Sequence, residues 1–379
     1  MTRRTIHSSA KRQSSNDELL AATPSSPLAV LPLHMIVRSL LTTTVSSSPV
    51  LLPPSLWIMN PLLRLVLKNI FYTQFCAGET SVEVRRTIDG LRDIGFTGVI
   101  LGYAKEVVLT ADQSRDLAAC GKGDKAEECV RNEAVPWARG TLETARLARP
   151  GDFFTGAGRQ ALYSLAERLP PSAAMANAID SICSLAAESG IRKLSDAEQA
   201  SLQSGIDNWT LDYMRNVKLV RGAYICSDPR HLIHDTKADT DACYDGIAES
   251  LLKKQRRDVL RGLVEMPPVR LVLASHNAES VRRARDICDA GEAKIQIAFA
   301  QLQGIAHELS YELVSAKTRA VETYKYLVWG GGGLTGECMK YLLRRAHENR
   351  DAVHRTRIGR DTMWSELVRR AKVAVGVSM

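Results

Sequence analysis

From residue 83 onward the chain alternates between short strand-like runs and longer helical patterns, and this alternation limits the available folds more than any other feature. Strand-like runs fall at Gly98–Tyr103, Asp152–Thr155, Arg192–Ala197, Val217–Arg221, Val269–Ser275, Ile295–Ala300 and Thr323–Val328. Helical patterns occupy Glu83–Ile94, Arg159–Arg168, Ala173–Glu188, Ala238–Asp258, Ala278–Asp289, Ile305–Val314 and Glu337–Asp351. Strand followed by helix, repeated, builds a parallel sheet. Polar residues stand at the carboxyl ends of several runs: Asp196, Arg221, Ser275-His276-Asn277 and Gln301. In a (β/α)8 barrel that rim builds the active site. An open doubly wound sheet gathers its site at one switch point instead, so polar ends on many strands favour the barrel.

The last helical pattern carries the densest chemistry. Residues Glu337 to Arg350 include strong helix formers and neither Gly nor Pro. Tyr341, Arg344, Arg345 and Glu348 fall at i, i+3, i+4 and i+7 and share one face. Met339, Leu342, Leu343 and Ala346 share the opposite face. Two neighbouring guanidiniums grip a carboxylate through paired hydrogen bonds, so the first face is a clamp for a small acid. The same pattern also describes an ordinary amphipathic helix with a solvated charged side. Two glycine motifs, Gly331-Gly-Gly-Leu-Thr-Gly336 and Gly156-Ala-Gly-Arg-Gln-Ala161, match dinucleotide-binding spacings. The first has too little chain after it for a β-α-β unit. The second follows a weak strand and lacks a clear ribose-binding acid, so neither is read as a nucleotide site.

A chain of 379 residues suffices for one large α/β domain or two smaller ones. Its net charge is +8, but Arg3, Arg4, Lys11 and Arg12 all precede the first acid, Asp17. No basic stripe alternates with aromatics, which argues against a nucleic-acid partner. The first 16 residues are rich in Arg, Ser and Thr, the composition of a mitochondrial presequence or of a disordered tail. The eight cysteines show no C-x-x-C and no metal-ligand spacing, so they read as reduced thiols and no metal is expected. No 18-residue apolar run exists to span a membrane. Pro27 to Tyr72 is apolar but broken by prolines, suited to packing on the domain or lying on a bilayer surface. The expected organisation is a presequence or disordered segment over 1–26 and a helical arm over 27–95. A barrel over 96–357 and a C-terminal tail over 358–379 follow.

Several motifs together resemble the proline dehydrogenase family in its fungal mitochondrial form. They are Lys218-Leu-Val-Arg-Gly-Ala-Tyr224, Ala274-Ser-His-Asn277, Phe299-Ala-Gln-Leu-Gln-Gly304, Tyr324-Lys-Tyr326 and Tyr341-Leu-Leu-Arg-Arg-Ala-His-Glu-Asn349. Phe71-Tyr-Thr-Gln-Phe-Cys-Ala-Gly-Glu79 and Gly98-Val-Ile-Leu-Gly-Tyr-Ala-Lys-Glu106 extend the resemblance upstream, so that it covers about Pro27 to Arg357. The resemblance implies a distorted TIM-like (β/α)8 barrel with FAD at the strand carboxyl ends. It implies oxidation of L-proline to 1-pyrroline-5-carboxylate, the first step of proline catabolism. Electrons would pass to a membrane quinone on the matrix side of the mitochondrial inner membrane, with peripheral membrane contact. By resemblance Arg344 and Arg345 grip the proline carboxylate, Glu348 ion-pairs with them, and Tyr341 and Tyr326 wall the ring. Lys218, Arg221, Gly222, Ala223, His276 and Asn277 hold FAD, and Asp196 anchors the rim of the third strand. Read from the residues alone, Asp196 also fits a helix N-cap and His276 a core or rim histidine.

The chain also departs from the family pattern. Where the family's second strand carries a lysine in a K-F-T-G pattern, this chain reads Gly151-Asp-Phe-Phe-Thr-Gly156. The family places a further strand, reading like N-T-Y-Q, between the strand at Asp196 and the one at Lys218. Only 22 residues separate those two positions here, room for one crossover helix and no extra strand. The loop Gly330-Gly-Gly-Gly-Leu-Thr-Gly-Glu337 is also about three residues longer than expected. The sequence therefore predicts a barrel missing one strand–helix unit. Two functional readings stand: a proline dehydrogenase, or a catalytically impaired homologue of one.

Overall fold

The computed structural model describes residues 27–46, 70, 72–103, 135–155, 164–165, 167–194, 203–206, 208–209, 216–222, 228–255, 269–316, 321–330, 341 and 353–375. Its first strands are β1 (Cys76–Gly78) and β2 (Gly98–Tyr103). They are followed by β3 (Phe153–Thr155), β4 (Arg192–Lys193), β5 (Asn216–Val220), β6 (Arg270–Ala274), β7 (Ile297–Leu302) and β8 (Glu322–Trp329). All pair in parallel, in the order β4-β3-β2-β8-β7-β6-β5, while β1 attaches to the end of β8. Seven strands thus form a nearly closed barrel with helices between them, the incomplete (β/α)8 architecture expected from the sequence.

The helices are α1 (Leu33–Ser46), α2 (Ser81–Asp93), α3 (Val135–Leu147), α4 (Ala173–Glu188), α5 (Lys237–Lys253), α6 (Ala278–Asp289), α7 (His307–Ser315) and α8 (Val353–Ala374). Sequence chemistry fixes several of their starts. Thr80 with Glu83, and Thr236 with Asp239, close capping boxes on α2 and α5. Ser172 caps α4 and Asn277 caps α6. Each cap satisfies amide donors that helix geometry leaves orphaned, a contribution of about 1 kcal/mol.

Strand residues alternate between two cores. Ile100, Phe153, Leu194, Val272, Ala298, Ala300 and Tyr324 fill the barrel lumen. Leu271, Leu273 and Phe299 pack outward against α5, α6 and α7. The amino-terminal floor is sealed by polar contacts. The fully buried Asp152 accepts from the backbone N–H groups of Val99 (3.0 Å) and Arg149 (2.7 Å) and pairs with Arg92 (2.9 Å). Arg192 crosses the same end, donating to Glu322 (3.1 Å) and the Tyr324 hydroxyl (2.7 Å) while stacking on Phe153.

The seam lies between β4 and β5. No strand pairing joins them among the described residues. The Asn216 side-chain amide donates to the Lys193 carbonyl at 3.0 Å instead. Strand edges need partners for their amides and carbonyls, and this amide supplies one link between β4 and β5.

The arm docks on the outside of the barrel. Arg38 of α1 donates to Gln74 Oε1 (3.0 Å), and Gln74 Nε2 donates to Ser39 Oγ (2.8 Å) and to His307 Nε2 (3.0 Å). Burial, then the positive charges of Lys325 and Arg38, push the His307 pKa well below its ordinary value, so its ring is neutral. Beneath it the fully buried Lys325 donates to Ser310 Oγ (2.6 Å) and to the Ile305 carbonyl (3.3 Å). Burial lowers the Lys325 pKa to about 7. The same desolvation pushes the neighbouring Glu308 carboxyl up, so burial outweighs the attraction between the two. Helix α8 packs along α1, although residues 358–374 of it read from the sequence as part of a tail.

Candidate active site

The carboxyl ends of β5 to β8 surround a mouth floored by short side chains. Ala274 ends the inward-facing row of β6, and on β7 Ala300 lies one inward position before the terminal Leu302. Lys218, inward on β5, places its ammonium 5.0 Å from the centre of the Tyr326 ring on β8. A cation over an aromatic face is attracted by the ring's quadrupole, and the pair spans the lumen. The Tyr326 hydroxyl lies against the backbone of β2: a Cβ at Gly102 would sit 2.8 Å from it. Gly102 lies in the Gly98–Glu106 motif, which by itself assigns it no role, and the structure sets it against the Tyr326 hydroxyl. Its signal is a glycine inside a strand, which often marks close approach of another group.

His276 follows β6 and accepts a hydrogen bond from the Leu302 amide at Nε2, 3.0 Å away. The neutral ring must then carry its proton on Nδ1. The bond ties the end of β6 to the end of β7. Asn277, expected among the cofactor ligands, uses its Oδ1 to cap α6 through the Ser280 amide (3.1 Å), while its own N–H donates to Ser275 Oγ (3.0 Å).

Arg221 turns toward the helix layer. Its guanidinium pairs with Asp241 of α5, donates to Ser280 Oγ of α6 (2.8 Å) and lies over the Tyr244 ring (5.3 Å). Hydrogen bonds from Lys237, then Arg221, hold the Asp241 carboxyl below the usual range. The Tyr244 hydroxyl, pushed up by burial, donates to the Leu219 (3.1 Å) and Ala274 (3.4 Å) carbonyls and straps β5 to β6. Gly222 takes a positive φ of 69°, and no atom of the described residues lies within 4 Å of a Cβ built on it. That conformation is natural to glycine.

Tyr341 is buried with Tyr72, Phe75, Cys76 and Val328, beside Tyr326. The structure thus brings Lys218, Tyr326, His276 and Tyr341 to one end of the barrel, and sets Arg221 and Asn277 into its supporting layer. Arg344, Arg345, Glu348, Asp196 and Ala223 lie outside the described residues, as do the two glycine-rich motifs. Short side chains, an ammonium and an imidazole donor make a mouth suited to a flat, polar-edged ring system.

The proline dehydrogenase family profile matches residues 212–358, the stretch that contains Lys218, His276, Tyr326 and Tyr341. Over that stretch the chain is similar to the proline dehydrogenases. It is 24% identical over 389 residues to the probable mitochondrial proline dehydrogenase of Schizosaccharomyces pombe, an alignment covering 79% of this chain and 78% of the relative. It is 36% identical over 164 residues to mitochondrial proline dehydrogenase 1 of Arabidopsis thaliana, covering 40% of this chain but only 30% of that protein. Proline utilization A (PutA) from Bdellovibrio bacteriovorus, in its crystal structure inactivated by N-propargylglycine, superposes with a TM-score of 0.55 at 15% identity. That match covers 84% of this chain and 37% of PutA. At this identity the likeness establishes the fold alone, a TIM-like barrel.

Proposed function

We propose that this chain oxidises L-proline to 1-pyrroline-5-carboxylate with FAD, on the matrix side of the mitochondrial inner membrane, and passes the electrons to a membrane quinone. The observation that carries this reading is the cluster of Lys218, Tyr326 and His276 around the alanine-floored mouth, inside the profile match. FAD, when bound, supplies the acceptor for the hydride leaving proline C5. The residues present fit such a group. Ala274 and Ala300 leave room, Lys218 supplies positive charge, and His276 carries its donor at Nδ1. The backbone of Gly222 stands beside them, with Ala223 next in sequence. Arg221 would reach a cofactor phosphate only by releasing Asp241. Arg344 and Arg345 would take the proline carboxylate with Glu348 paired to them, Tyr326 and Tyr341 would wall the ring, and Asp196 would anchor the rim.

Membrane contact has its own support. Val30, Leu33, Val37 and Leu41 form an exposed apolar stripe along the arm, and Trp364 of the adjoining α8 is also exposed. Such a stripe suits a helix lying in the bilayer interface. Among the described residues no helix is long and apolar enough to cross a membrane.

The seam favours a second reading, an impaired homologue. β3 offers Phe153 and Thr155 where the family has a lysine strand, and among the described residues a single amide links β4 to β5. Turnover of proline with a soluble quinone, measured with and without added FAD, separates the two. Activity that rises with FAD supports the enzyme. No activity at saturating FAD, beside a related enzyme that turns over, supports the impaired form.

A further inference from the structure

Outside the mouth, one nucleophile pair stands apart. Lys193 of β4 points into the helix layer and donates from Nζ to Cys183 Sγ of α4, 3.9 Å away. Among the described residues this thiol is its one hydrogen-bond partner, and Asp180 is the other charged group acting on it. Both side chains are half-buried, so small solutes reach them. We propose that Cys183 and Lys193 form an oxidant-driven covalent cross-link, a sulfenamide, that ties α4 to β4.

The chemistry balances with hydrogen peroxide as the oxidant. Peroxide first converts the thiol to a sulfenic acid and releases one water. The lysine nitrogen then attacks the sulfenyl sulfur, an S–N bond forms, the S–O bond breaks, and the hydroxyl leaves as a second water with a proton from the amine. Sulfur loses two electrons and peroxide gains them. Sulfenic acids condense in this way with nearby nitrogen or sulfur nucleophiles when geometry allows. The attack needs an uncharged amine. Burial lowers the Lys193 pKa, against weaker opposing effects of Cys183 and Asp180, and so raises the share of free amine. A low-molecular-weight thiol reverses the bond by attacking sulfur and releasing the amine.

The location gives the cross-link a consequence. β4 pairs with β3 over two residues only, and the Lys193 carbonyl accepts the Asn216 amide that bridges the seam. Fixing the Lys193 side chain to α4 therefore holds the weakest strand of the barrel in register.

The test treats the full-length protein with hydrogen peroxide, quenches it, and maps it with trypsin. The reaction expected joins the peptide of residues 169–192 to that of residues 193–215, at their summed mass less two hydrogens. Cleavage after Lys193 should disappear, and dithiothreitol should restore it. The oxidised protein should melt at a higher temperature than the reduced one. Cys183→Ser, a near-isosteric change at a half-buried site, and Lys193→Arg should each lower the cross-linked yield at least tenfold, whereas Cys243→Ser should leave it unchanged. Cys183 recovered only as sulfinic acid, or joined to a different residue, would overturn the proposal. So would a linked peptide that persists in Lys193→Arg.

Discussion

Replacing Lys325 by Met should stabilise this protein, and by an amount that depends on pH. The ammonium is fully buried on the outer side of β8, with Ser310 Oγ and the Ile305 carbonyl as hydrogen-bond partners. Burial moves its pKa from 10.5 to about 7. Because the folded value is depressed, the unfolded chain binds the extra proton between pH 7 and 10.5, and stability rises with pH across that window. At pH 7 the linked cost is about 4 kcal/mol, since each tenfold loss of proton affinity on folding corresponds to roughly 1.4 kcal/mol. Methionine removes that cost but forfeits two hydrogen bonds of about 1 kcal/mol each. Ser310 keeps a partner in the Ala306 carbonyl (2.9 Å), so no donor is orphaned. The net gain should be about 2 kcal/mol at pH 7. It should shrink to near zero by about pH 9, where the remaining cost of deprotonating the lysine on folding equals the two lost bonds. Urea titrations of both proteins at pH 6, 7, 8 and 9 measure it. A variant destabilised at every pH, or a difference that does not change with pH, would refute the reasoning.

Three further expectations follow from the candidate site and the amino-terminal residues. Gly102→Ala drives a methyl into the Tyr326 hydroxyl, 2.8 Å away, and should lower kcat/KM for proline about tenfold by displacing the ring. A value within about twofold of wild type would contradict that placement. Arg344→Met and Arg345→Met should each raise the KM for proline by at least about tenfold, since a charge-assisted fork contributes about 1.5–3 kcal/mol. An unchanged KM in both variants rules out the carboxylate assignment. Residues 1–40 fused to a fluorescent reporter should accumulate in mitochondria, and a diffuse cytosolic signal would count against the presequence.

The parts of the fold legible in the sequence are those whose signals are local. β2 is a run of apolar residues bounded by a turn, and α4 and α6 begin at Ser172 and Asn277, caps that can be read directly. β1 escapes such a reading because Cys-Ala-Gly has little strand propensity. It is extended only because the end of β8 offers it an edge. α3 escapes it because Gly140 interrupts its pattern, and that glycine is needed where the helix passes the Tyr103 ring. α8 resembles a tail in sequence because its apolar face becomes intelligible only once α1 is beside it.

The site divides along the same line. Lys218 and Tyr326 are legible as motif residues, and their meeting across the lumen follows from strand alternation. The motif assigns Asn277 to the cofactor, although Asn277-Ala-Glu-Ser280 also reads as a helix start, and the structure gives its side chain that second role. The partner that draws Arg221 away, Asp241, lies 20 residues on and carries no sequence signal.

The most direct test of the central claim is anaerobic titration of the purified, FAD-reconstituted protein with L-proline, followed by flavin absorbance near its visible maximum. The account predicts that the bound flavin bleaches with proline, that added quinone restores its colour, and that Lys218→Met weakens flavin retention. Flavin that binds stoichiometrically yet stays oxidised at saturating proline would contradict it.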